Sequence, residues 1–291
     1  MVSLIHDQAA SLRKQINGNS KIKKAKTIAI ISGKGGVGKS NFAVNFSLEL
    51  LNHKHKVLII DLDVGMGNID ILLGLQSKKN IIDFLNNQSS IFDMIESGPN
   101  GLAYIAGGTS LSSLFSIDQQ KMNHFLTEYD KLQEHFDYII FDMGAGVSEA
   151  SMFFILASDE SILITTSEPT SITDAYAMTK QLISHGNRHP IHVVLNRCES
   201  DKQGKQTANH FQNIVLQFLE TKVKIMGVLP DDKTVIQAVM HQKPYLLLSK
   251  KAPVSVAMSK IVSNYLTNSN EINQLNSSSF VHRLKKFFKV R

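Results

Sequence analysis

The sequence predicts a three-layer, doubly wound α/β domain with a mainly parallel sheet, and three observations carry that prediction. Short β-branched runs recur along the chain, separated by windows of helical periodicity. The runs are continuously apolar rather than alternating, as strands covered on both faces must be. A glycine-rich octet, Gly33-Lys34-Gly35-Gly36-Val37-Gly38-Lys39-Ser40, joins the first run to the first helical window. That is where such folds seat phosphate, at the carboxyl ends of their strands.

In order, the strand candidates are Thr27 to Ile31, Val57 to Asp61, Leu102 to Ala106, Tyr138 to Phe141, Ser161 to Thr165, Ile191 to Leu195 and Val223 to Val228. Helical windows fall at 39 to 52, 118 to 135, 147 to 157, 170 to 185, 205 to 220, 233 to 241 and 253 to 267. The α/β body is thus expected over 27–267, with an N-terminal helix and linker over 1–26 and a linker and amphipathic helix over 268–291.

With 291 residues and 43% hydrophobic content, the chain can bury one substantial core. No apolar run approaches bilayer length and the N-terminus has no secretory pattern, so the protein is expected in the cytosol. Cys198 is the single cysteine, which excludes a disulfide framework. The formal charge is +6, but the first 26 residues and the last twelve each carry +5, leaving −4 for the body. The basicity therefore belongs to two tails, and a body of that sign makes nucleic acid an unfavoured partner.

The octet specifies chemistry. Its glycines let backbone N–H groups converge on one point, and the helix starting at Lys39 adds its positive end, so polyphosphate is the natural ligand. Gly35, Gly36, Val37, Gly38, Lys39, Ser40 and Asn41 form the cradle. Lys39 is expected on the β/γ-phosphates and the Ser40 hydroxyl on a magnesium ion bridging them. Acids at neighbouring strand tips complete the set. Asp142 ends one strand in the place that holds a magnesium shell, Asp61 ends another as a second shell acid, and Asp63 stands further out toward the γ-phosphate.

GKGGVGKS resembles the deviant Walker A motif of the MinD/ParA family. The resemblance implies that Lys34 reaches across a homodimer interface to the partner's nucleotide, and that Asp63, second in the D-x-D stretch, positions the attacking water. No N-K-x-D guanine signature occurs. Leu195-Asn196-Arg197 and Gly227-Val228-Leu229-Pro230-Asp231-Asp232 resemble the adenine-side loops of MinD-like ATPases. ATP with magnesium is therefore the implied cofactor, with Asn196, Arg197, Pro230, Asp231 and Asp232 around the base. A ParA-like DNA-segregating ATPase and a MinD-like division-site regulator are the alternatives.

The tails carry the remaining information. In Phe280-Val281-His282-Arg283-Leu284-Lys285-Lys286-Phe287-Phe288-Lys289-Val290-Arg291, the side chains of Phe280, Leu284, Phe287 and Phe288 share one helical stripe and cations fill the rest. This is the pattern of a helix lying in an anionic membrane interface; a nucleic-acid-binding tail and a helix folded back on the body are the rival readings. At the other end, Asp7-Gln8-Ala9-Ala10-Ser11-Leu12-Arg13 reads as a short helix followed by a basic linker. With both tails, the chain resembles the FlhG family (also called YlxH or FleN) of flagellar number and placement ATPases. That resemblance implies peripheral membrane association when ATP-bound and engagement of flagellar switch-ring proteins. It also implies docking on the GTPase FlhF through Asp7, Gln8, Leu12 and Arg13.

Overall fold

A computed structural model of the chain describes residues 24–63, 68–87, 89–107, 119–146, 149–269 and 279–289. Its centre is an eight-stranded sheet: β1 (Lys26–Ile31), β2 (Val57–Leu62), β3 (Glu96–Ser97), β4 (Ala103–Ile105), β5 (Tyr138–Met143), β6 (Glu160–Thr166), β7 (Ile191–Cys198) and β8 (Lys224–Pro230). The strand order is β3-β4-β2-β5-β1-β6-β7-β8. Pairing is parallel throughout except for the short edge pair β3 and β4. β1 lies between β5 and β6, so the chain leaves it in one direction for β2 and later in the other for β6. This reversal opens a crevice above the carboxyl end of β1, the usual ligand position in doubly wound sheets.

The helices are α1 (Lys39–Asn52), α2 (Ile69–Leu73), α3 (Ile81–Asn87), α4 (Gln119–His135), α5 (Glu149–Ala157), α6 (Pro169–Ser184), α7 (Asp201–Leu219), α8 (Lys233–Met240), α9 (Tyr245–Leu248), α10 (Pro253–Ser269) and α11 (Phe280–Lys289). Two apolar layers cover the sheet. One, from α1, α2, α9 and α10, packs on Ile28, Ile30, Ile59 and Ile140. The other, from α4, α5, α6, α7 and α11, packs on Ala29, Ile31, Ile60 and Phe141. Alternate residues of one strand thus feed opposite cores, which is why the strands read as unbroken apolar runs.

The expected elements match the structure closely, and several unforeseen ones flank them. α2, α3, α9 and β3 are short, and single side chains, near or distant in sequence, fix some of the short elements. Asn80 Oδ1 accepts from the Ile82 and Asp83 N–H groups at 2.9 and 3.1 Å as α3 opens. Glu128, on α4, accepts from Ile91 N–H at 3.1 Å and so fixes the short 3₁₀ turn there.

Residues 280–289 form the expected helix. In this structure α11 lies on the body, across the sheet from α10, with Phe280 and Leu284 fully buried and Val281 nearly so. Phe287 packs at the margin of the same core. The side chain of Phe288 and all of Asp7, Gln8, Leu12 and Arg13 lie outside the described residues.

Candidate functional site

The glycine octet is folded as the phosphate chemistry requires. Gly36 has φ 76° and Gly38 φ 93°, a left-handed backbone that side-chain-bearing residues adopt only with strain. Gly38 is also the residue from which α1 starts. The first turn of α1 has no side-chain cap and no acid, so its N–H groups and positive end face the loop without competition from the chain itself. Gly33 is small for a separate reason: a Cβ there would stand 2.2 Å from the Asp174 carbonyl oxygen of α6.

Lys39 and the three acids converge at the mouth of this loop. Asp61 and Asp142 are directly paired residues on the adjacent strands β2 and β5. Lys39 Nζ lies 2.6 Å from Asp142 Oδ1 and 3.7 Å from Asp63 Oδ2, and Lys39 is only 6% exposed. Ser40 Oγ is 3.5 Å from the same ammonium. Asp61 accepts N–H bonds from Asp63 at 2.8 Å and Asn68 at 3.1 Å, which ties its carboxylate to the start of the loop leading into α2. Burial and then the neighbouring Asp142 carboxylate push the Asp61 carboxyl up to about 7. Burial also raises Asp63, against the opposing pull of Lys39.

Three buried or half-buried carboxyls around one ammonium carry surplus negative charge, and Asp142 Oδ2 is buried without a hydrogen-bond partner. Both features fit a divalent cation held by Ser40 with Asp61 and Asp142 in its surroundings. Among the described residues no group of three or more His, Cys, Asp or Glu side chains forms a metal cage. Ligand phosphate would therefore have to share the ion, as in sites where magnesium is bound through substrate phosphates plus one or two protein groups.

Lys34 projects differently from Lys39. Its side chain is 41% exposed, and its Nζ lies 3.3 Å from Glu168 Oε2 and 3.1 Å from Thr170 Oγ1. Both partners come from the start of α6, a contact that sequence spacing alone does not reveal. The base-side candidates spread over the ends of β7 and β8. Asn196 Nδ2 donates to the Val37 carbonyl at 2.8 Å, so its amide braces the phosphate loop from behind. Arg197 is exposed with φ 54°. Pro230 ends β8, and Asp231 N–H bonds the Cys198 carbonyl at 2.9 Å. Asp232 caps α8 through Thr234 N–H at 2.8 Å and accepts from Val254 N–H at 3.1 Å, which fixes the loop's shape and occupies its carboxylate.

The ParA family, described as the NUBPL iron-transfer P-loop NTPase, matches residues 23–266. The antiactivator FleN of Pseudomonas aeruginosa is 29% identical over 80% of this chain and 84% of its own. The flagellum site-determining protein YlxH of Helicobacter pylori is 31% identical over 90% of each. Among solved structures, the septum site-determining protein MinD of Pyrococcus horikoshii, complexed with Mg-ADP, superposes with a TM-score of 0.69. That match has 22% identity and covers 84% of this chain and 97% of that one. Iron transfer does not follow from the family description here, since the one cysteine, Cys198, is buried. Among the described residues no helix is long and apolar enough to cross a membrane.

Proposed function

The chain belongs to the ParA/MinD family of P-loop NTPases, in the branch that holds FleN and YlxH, and on that premise we propose that it is an ATP-driven dimerising switch controlling flagellar number or placement. One observation carries the ATPase reading: a buried lysine held between Asp142 and Asp63 beneath an uncapped helix N-terminus. Arriving phosphate competes with Asp142 for Lys39 and is met by the uncapped N–H groups of α1. Ser40, Asp61 and Asp142 would hold magnesium, which would supply positive charge against the phosphates. Asp63, less enclosed than Asp142, orients the attacking water and polarises it. Lys34 leaves Glu168 and Thr170 to reach the nucleotide of a second copy, so hydrolysis and dimer lifetime are linked.

In the proposed cycle α11 alternates between its seat on the body and an anionic lipid surface. Its docked position supports this reading, because the apolar stripe a membrane would take is the one the body now covers. The protein then works in the cytoplasm and attaches peripherally to the cell membrane when ATP-bound. Asp7, Gln8, Leu12 and Arg13 dock on the GTPase FlhF, and the body engages switch-ring proteins. The test is magnesium-dependent ATP turnover with and without anionic vesicles, beside flagellar counts in cells carrying only Asp63→Ala. Turnover that is vesicle-stimulated and lost in the variant, with altered counts, is expected; a protein that never hydrolyses ATP would overturn the proposal.

A further inference from the structure

α11 is seated on the face of the sheet that α4 and α5 cover, with its polar anchor at the amino-terminal ends of β1 and β6, and two kinds of contact hold the helix there. The first is apolar. The Phe280 ring centroid is 4.4 Å from that of Tyr129, 5.4 Å from Phe141 and 6.1 Å from Phe154. Phe287 stacks on Phe153 at 5.3 Å. The second is directed. Arg283 Nε donates to the Ala157 carbonyl at 2.8 Å, and its Nη2 meets Asp159 Oδ1 at 2.5 Å.

Asp159 is itself fixed by the sheet. Its other oxygen accepts from Thr27 N–H of β1 at 2.8 Å, and Thr27 Oγ1 shares a hydrogen bond with the Tyr129 hydroxyl at 2.8 Å. Tyr129 in turn touches Phe280, so the polar and apolar contacts close one ring. The next residue, Glu160, faces the other side of the sheet and accepts from the Tyr265 hydroxyl, near the end of α10, at 2.9 Å. Two consecutive acids, Asp159 just before β6 and Glu160 at its first position, therefore hold α11 and α10.

The two kinds of contact differ in what a lipid surface can replace. Phe280 and Leu284 leave one apolar surrounding for another, so the hydrophobic term largely cancels between body and bilayer. The two bonds of the Arg283 fork exist only in the docked state. They are charge-assisted and partly shielded, with side-chain exposures of 19% for Arg283 and 18% for Asp159. We propose that the Arg283–Asp159 contact, with the Ala157 carbonyl as its second anchor, is the latch that sets how readily α11 leaves the body for anionic lipid. This rests on the membrane reading above and names the residues that regulate it.

Arg283→Lys keeps the charge that lipid attracts but cannot reproduce the fork. Asp159→Asn keeps an acceptor for Thr27 N–H while removing the charge. In the full chain, amide hydrogen exchange over 280–289 should run about tenfold faster in each variant. The double variant should exchange no faster than the faster single, because both break one contact. Lys286→Gln, on the exposed side of α11, should leave exchange unchanged. Circular dichroism and nucleotide binding report whether each variant is folded. Exchange that stays at the wild-type rate in both folded single variants would overturn the latch. In a second arm, Arg283→Lys should co-sediment several-fold more than wild type with phosphatidylglycerol-containing vesicles. Faster exchange without added sedimentation would uphold the latch and refute lipid as the surface that captures the helix.

Discussion

Lys39→Ala tests the site before any nucleotide is added. The Lys39 ammonium is 2.6 Å from a wholly buried Asp142 and 3.7 Å from Asp63, with Asp61 paired beside Asp142 on the next strand. Its removal leaves three carboxyls facing one another with no cation. Breaking a buried pair by deleting one partner typically costs about 3–5 kcal/mol. Part of that cost escapes by proton uptake. Asp61 is raised to about 7 by burial and by Asp142 even with Lys39 present, and loss of the ammonium can only raise it further. A raised carboxyl destabilises the fold increasingly as pH climbs, so the deficit should be largest at alkaline pH. Urea unfolding without nucleotide should show Lys39→Ala about 3 kcal/mol or more below wild type at pH 8 and visibly less so at pH 6. Adding Asp142→Asn should recover much of the loss. Equal stability of wild type and Lys39→Ala at pH 8 would show that the carboxylate cluster does not depend on the lysine.

Asp63→Ala should still bind nucleotide but turn it over about a hundredfold or more slowly, the scale of losing a positioned base; near-normal turnover in a phosphate-release assay would remove Asp63 from the chemistry. Acid should destabilise the protein in two overlapping windows. Burial and then the charge of Arg283 lower His189 from 6.5 to about 3. Burial alone would raise Glu160, but the neighbouring His192 and Lys26 outweigh it and lower the group from 4.5 to about 2. Both folded values are depressed, so each group's stabilisation is present above its unfolded value and drains as pH falls, from 6.5 to 3 and from 4.5 to 2. Between pH 7 and pH 5 His189 accounts for up to about 2 kcal/mol. Urea midpoints of His189→Gln should accordingly change less over that range than those of wild type, and an unchanged acid slope would exclude His189. Phe280→Ala should cost about 3 kcal/mol or the whole docking energy of α11, whichever is smaller. Protease sensitivity within 280–289 checks it, and wild-type resistance would show that Phe280 does not anchor the helix.

The sequence made the central layers legible because parallel strands buried on both faces have little choice but continuous β-branched runs, as in Val57-Leu58-Ile59-Ile60. The octet was equally legible, since its glycines answer to local backbone geometry. Elements held by distant partners were not. The turn at 91–94 leans on Glu128, and Asn45 Oδ1 accepts from Leu246 N–H in α9, contacts that leave no periodic trace. Within the site, the acids could be assigned to strand tips, but not the 2.6 Å approach of Lys39 to Asp142 or the contact of Lys34 with Glu168. Those depend on loop folding around the crevice. Asn196 shows the same limit, for a residue at a strand end can face a ligand or brace the loop beside it, and its amide braces Val37. The tail is the clearest case. Helical periodicity reveals an apolar stripe but not what covers it, and a protein core and a bilayer ask for the same side chains.

The most direct test is the mass in solution of two variants under saturating Mg-ATP. Asp63→Ala should accumulate at twice the 32.3 kDa chain mass by light scattering, because its nucleotide pockets close and do not reopen through hydrolysis. The same variant carrying Lys34→Ala should remain at the single-chain mass while binding ATP. Equal dimerisation by both proteins, or none by either, would contradict a switch in which each copy completes the other's site.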